Sequence, residues 1–153
     1  MLMLLGRWDE GAAALDDALE RLSRSSVEDE EEVDIVGNML IRTRDATTWR
    51  RFIPVWLELF AKHNLLSALG QGVVGSIERL SIPWITDEDA RAWRDVWQEM
   101  GSAHKELALP LRLLNAAVEY RAKPDKRILL GLPAEERKIL ESLLGVPKSE
   151  RTT

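Results

Sequence analysis

A chain of 153 residues, 45% hydrophobic and 31% charged, suits one soluble globular domain with a core of its own. The formal charge of −5 and a pI near 5.2 argue against a nucleic-acid binder, which needs a basic face. With no cysteine, disulfides, thiolate metal sites and cysteine nucleophiles are excluded. Met1 to Leu5 is apolar, but Arg7, Asp9 and Glu10 follow at once, a run too short and wrongly flanked for a signal peptide or a membrane span. A cytoplasmic location without a membrane partner is the expectation.

Leu5-Gly6-Arg7-Trp8-Asp9-Glu10, followed by Ala14, Ala18 and Leu19, opens the chain. Gly ends one helix, an aromatic two residues later packs between helices, and small residues on the next helix let a neighbour approach. These residues resemble the second half of a tetratricopeptide repeat, although Gly11 stands where the family usually carries Ala. The resemblance covers about the first twenty residues and implies a helical unit that binds proteins and performs no chemistry. Almost nothing of the preceding helix is present, so the reading is a chain that begins in mid-repeat.

Leu15, Ala18, Leu19 and Leu22 fall on one helical face. After Ser23 to Ser26 comes an acidic run, Glu28, Asp29, Glu30, Glu31, Glu32 and Asp34, then Val33, Val36, Met39 and Leu40, closed by Arg42 and Arg44. Acids first and bases last is the order a helix dipole favours, with Ser25 or Ser26 as N-cap. A third helix carries Trp49, Phe52, Trp56 and Phe60, and Pro54 within it predicts a start near residue 50 or a kink. A fourth apolar segment runs from Leu65 to Leu80, and Ser81 to Ile85 is a connector holding Pro83 and Trp84. Thr86 before Asp87, Glu88 and Asp89 reads as a helix start, with Trp93, Trp97 and Met100 as the next stripe. Glu106 to Ala122 is the sixth helix, with a bend expected at Pro110, and Lys123-Pro124-Asp125 ends it. Pro133 opens a last short helix, and Gly145 with Pro147 stops it. No period-2 alternation rich in β-branched residues occurs, so the expected fold is all-α.

Asp45-Ala46-x-x-Trp49-Arg50 matches Asp89-Ala90-x-x-Trp93-Arg94 at an offset of 44 residues. The same register lays Phe52 on Val96, Trp56 on Met100, Leu65 on Leu109, Leu69 on Leu113 and Val74 on Val118. Each unit is then a helical hairpin of a length found in helical-repeat arrays. The last third, from Leu109 through Asp125 to Arg137, is similar to the C-terminal ends of bacterial multidomain proteins that carry such repeats.

Gly70-x-Gly72-x-x-Gly75 has the letters of a dinucleotide fingerprint, but that chemistry needs a strand, a tight turn and a helix N-terminus. Leu65 to Leu69 are helix formers, and Ala68, Gly72 and Ser76 at spacings of four form a small-residue ridge for close helix packing. Ser102-Ala103-His104-Lys105 matches a Ser-x-x-Lys acyl-transfer motif without its companion motifs. His63 and His104 lack metal-ligand spacing, and the acidic run lacks the Gly and alternating ligands of a calcium loop. No cofactor, metal or catalytic set is expected.

The resulting expectation is an all-α, right-handed array of antiparallel helical hairpins, tetratricopeptide-like at its start, with a short C-terminal capping helix. It forms one domain over residues 1–145, with a flexible tail at 146–153. Its expected function is protein–protein interaction as a scaffold or sensor module. Partner-contacting candidates are Trp84, the acids Glu28, Asp29, Glu30, Glu31 and Glu32, and the helix face of Leu15 and Leu19. A small-molecule binder or enzyme using an inter-helix pocket near residues 68–76 is one alternative. Self-association, as a homodimer through residues 1–22, is the other.

Overall fold

The computed structural model describes residues 8–24 and 35–146. Among them are eight α-helices and no strand: α1 Trp8–Arg24, α2 Ile35–Arg42, α3 Ala46–Lys62, α4 Leu66–Arg79, α5 Asp87–Gly101, α6 Ala108–Ala122, α7 Lys126–Leu130 and α8 Ala134–Leu143. A 3₁₀ turn, Lys105–Leu107, precedes α6. The all-α expectation holds for these residues. The acidic run, Ser25, Ser26 and the tail from residue 147 lie outside them.

The helices lie in two layers. In one, α1 packs on α3 and α3 on α5; in the other, α2 packs on α4 and α4 on α6. The layers join where α3 meets α4 and α5 meets α6, and α8 leans on both α4 and α6. Helix α4 is the hub, touching α2, α3, α6, α8 and the 3₁₀ turn. A helix surrounded on so many sides needs small residues. Gly70 answers that need: a Cβ there would sit 3.0 Å from Pro110 Cγ and 3.4 Å from the Glu106 carbonyl oxygen. Gly72 and Ser76 are buried on the same helix.

One core runs through the molecule, and the aromatic stripes supply its largest side chains. Trp49, Trp56, Trp93 and Trp97 are all buried and share it with Phe52 and Phe60. Burying a large apolar side chain removes roughly 150–250 Å² from water, so these six rings dominate the apolar stabilisation.

Local sequence sets the helix ends. Asp45 caps α3 by accepting from the Thr47 N–H, and the helix therefore starts at Ala46, earlier than the proline suggested. Pro54 stays inside α3, on its exposed side, where water can reach the carbonyl that the ring leaves without a donor. Thr86 and Asp89 form a reciprocal capping box at α5. Pro110 lies in the first turn of α6, where no N–H is required, so the helix begins there instead of bending. Asn64, at φ 58°, turns the chain between α3 and α4, and Gly145, at φ 68°, follows α8. Helix α7, capped by Asp125 through the Arg127 N–H, is an element the sequence pattern did not announce.

Candidate interaction surface

Trp84 is the exposed aromatic of the α4–α5 connector, with 46% of its surface open, beside the half-buried Ile82 and the exposed Pro83. The connector around it is tied down. Arg44, from the turn between α2 and α3, donates through Nη1 to the Trp84 carbonyl at 3.0 Å and lies over the indole, 5.8 Å from its centroid. The same guanidinium is 3.8 Å from Asp89. From α6, Arg121 donates to the Thr86 carbonyl at 3.0 Å and to the Ile85 carbonyl, and pairs with Asp87 at 3.6 Å. Ile85, next to Trp84, is fully buried. Two arginines and one buried isoleucine thus hold an exposed indole in a defined position, with Arg44 against it. Cation–π contact at an exposed site adds roughly 0.5–1 kcal/mol.

The other sequence candidates are placed as follows. Leu19 is buried and Leu15 half-buried within one chain, both packed into the common core. Glu28, Asp29, Glu30, Glu31 and Glu32 lie outside the described residues. Gly70, Gly72 and Gly75 all fall inside α4, preceded by a turn, so the strand–turn–helix of a dinucleotide site is not formed there. The space beside Gly70 is filled by Pro110 and Leu107, while a Cβ at Gly75 would meet nothing within 4 Å. Ser102 caps the C-terminus of α5, and Lys105 begins the 3₁₀ turn; both are exposed. Among the described residues no three His, Asp or Glu side chains are grouped to hold a metal ion.

The sequence reading missed a cluster at the end of α3. Asp16 of α1 meets His63 Nε2 at 2.6 Å and Lys62 Nζ at 3.0 Å. The bond from His63, then that from Lys62, holds the Asp16 carboxyl below its usual value. The partners are 46 and 47 residues apart, so no local spacing could have signalled them.

No helix among the described residues is long and apolar enough to cross a membrane. Comparison with models of known protein families, with curated proteins and with solved structures finds no match for the chain. The class that the fold defines is all-α.

Proposed function

We propose that this chain is a non-catalytic protein–protein interaction module, acting as a scaffold or sensor, and that Trp84 is one of its partner contacts. The observation that carries the reading is the exposed indole whose own carbonyl is held by Arg44 and whose next two residues, Ile85 and Thr86, are held by Arg121 of α6. An exposed Trp held in place loses little conformational freedom on binding, and Trp and Arg are enriched among the residues that dominate interface energies.

The layered order of the helices supports a tetratricopeptide-like array of hairpins. Helices α1, α3 and α5 stack in chain order, as do α2, α4 and α6, and Trp49 and Trp93 of the 44-residue register meet. Each unit of such an array touches mainly its neighbours, and the stack offers an extended surface to partners. A cytoplasmic location belongs to the same reading.

Photocrosslinking tests it. A benzophenone amino acid at position 84 should yield a discrete protein adduct in cells, and binding of the adduct's protein should be lost in Trp84→Ala at unchanged thermal stability. Binding of that protein unaffected by Trp84→Ala would remove Trp84 from the interface.

A further inference from the structure

Asp16, Lys62 and His63 bring three polar groups of two helices to one point. Lys62 Nζ lies 3.0 Å from both carboxylate oxygens of Asp16, and His63 Nε2 lies 2.6 Å from one of them. Lys62 is the last residue of α3 and His63 its C-cap, where the helix dipole already favours positive charge. The His63 side chain is only 12% exposed, so part of this cluster is shielded from water.

Over residues 9–22, where the side chains of α1 are described, one hydrophobic side chain is buried, Leu19, flanked by the half-buried Leu15 and Leu22. Helix α3 buries six, from Trp49 to Phe60. Asp16 precedes Leu19 by three residues, one turn away on the same side of α1. The polar cluster and the leucine therefore hold the same edge of the helix.

We propose that Asp16, Lys62 and His63 form an electrostatic latch that fastens α1 to α3. When the latch is broken, α1 opens as a unit while α3 to α6 stay packed, uncovering Leu15, Leu19 and Leu22 together with the side of α3 beneath them. The free energies of such openings range from near zero to the global stability, and lightly anchored helices lie at the low end. A single exposed ion pair contributes little, but here one carboxylate takes two partners, one of them mostly buried. High salt weakens the latch because Lys62 and Asp16 remain partly open to solvent.

Hydrogen–deuterium exchange on the full chain tests the proposal. In Asp16→Asn the amides of residues 12–22 should exchange about two- to fivefold faster, with α5 and α6 unchanged. Asp16→Glu, which keeps the charge, should recover part of the protection, and raising the salt should speed α1 in the wild type more than in Asp16→Asn. Equal protection of α1 in wild type and Asp16→Asn would overturn the latch. So would an acceleration spread evenly over all helices, which is the mark of global destabilisation.

Discussion

Trp49 and Trp93, 44 residues apart, meet edge to face with ring centroids 4.9 Å apart and planes at 79°. Each indole N–H is engaged elsewhere. Trp49 donates to Thr43 Oγ1 at 2.8 Å, and Trp93 donates to Ser76 Oγ at 3.1 Å. Ser76 in turn donates to the Val73 carbonyl on α4. The ring pair joins α3 to α5, and the second hydrogen bond joins both to the hub helix. Trp97, 5.9 Å from Trp93, extends the cluster along α5.

Trp93→Ala and Trp49→Ala should each cost about 3–5 kcal/mol in urea unfolding, the usual loss for a buried Trp. The double mutant should fall short of the sum by about 0.5–1.5 kcal/mol, the coupling expected of an edge-to-face pair. Ser76→Ala leaves the Trp93 N–H buried without its acceptor and should cost about 1–3 kcal/mol. Strict additivity of the two Trp substitutions would mean that the rings pack without energetic contact.

The glycines of α4 should separate cleanly. Gly75→Ala meets open space in a helix interior and should stabilise by about 0.5–1 kcal/mol through propensity and unfolded-state entropy. At Gly70 a Cβ presses on the rigid ring of Pro110 and on a backbone carbonyl, so Gly70→Ala should lose that gain and Gly70→Leu should destabilise by about 1–3 kcal/mol. Thermal unfolding of the three variants reads the order directly. A Gly70→Leu variant as stable as wild type would show that α4 and α6 do not approach as closely as described.

The helical class of this fold was legible because period and caps agree in α5 and α8 and the aromatic period runs through α3. The aromatic stripes pointed inward, and Thr86 with Asp89 marked a helix start that forms as a capping box. The 44-residue match was instructive where it slips. Asp45 is the N-cap of α3, whereas its counterpart Asp89 is the third residue of α5, because Thr86 captures the cap and adds almost a turn. Proline is hard to place from sequence for one reason. A sequence records the missing N–H but not whether the orphaned carbonyl faces water, as beside Pro54, or whether the ring lies in a first turn, as Pro110 does. Helix α7 is five residues long, too short for periodicity to register. At the candidate surface, the exposure of Trp84 followed from its connector position. Arg44 and Arg121 did not, since they reach it from 40 residues before and about 36 after.

Acid should loosen the fold through specific carboxylates. Asp16, Asp45 and Asp125 are each held below the ordinary 3.8: Asp16 by His63 and Lys62, Asp45 by the Thr48 hydroxyl and Thr47 N–H, and Asp125 by Arg127, down to about 2. A depressed folded-state value means the unfolded chain binds more protons in this range. The stabilisation is therefore complete above the unfolded value of 3.8 and is lost as pH falls through the folded values. Urea midpoints measured from pH 6 down to pH 2 should stay level at first and then drop below about pH 4. Asp45→Asn and Asp125→Asn should each flatten part of that drop. A midpoint that rose on acidification would contradict the assignment.

Trp84 should behave as a surface residue of the connector, distinct from the four core tryptophans. Removing its indole, already 46% exposed, frees the face of Arg44 but opens no cavity. Trp84→Ala should therefore change stability by less than about 1 kcal/mol, against several for Trp93→Ala. Its accessible indole should also answer to a water-soluble quencher. Acrylamide should extinguish a fraction of the fluorescence in the wild type that Trp84→Phe lacks, while the emission of the buried four stays blue-shifted. Arg44→Ala removes the cation over the ring and the bond to the Trp84 carbonyl, and should raise the quenching constant of that fraction without shifting the core emission. Equal quenching in wild type and Trp84→Phe would mean that the indole is covered in solution, and would remove the exposed platform on which the proposed partner contact rests.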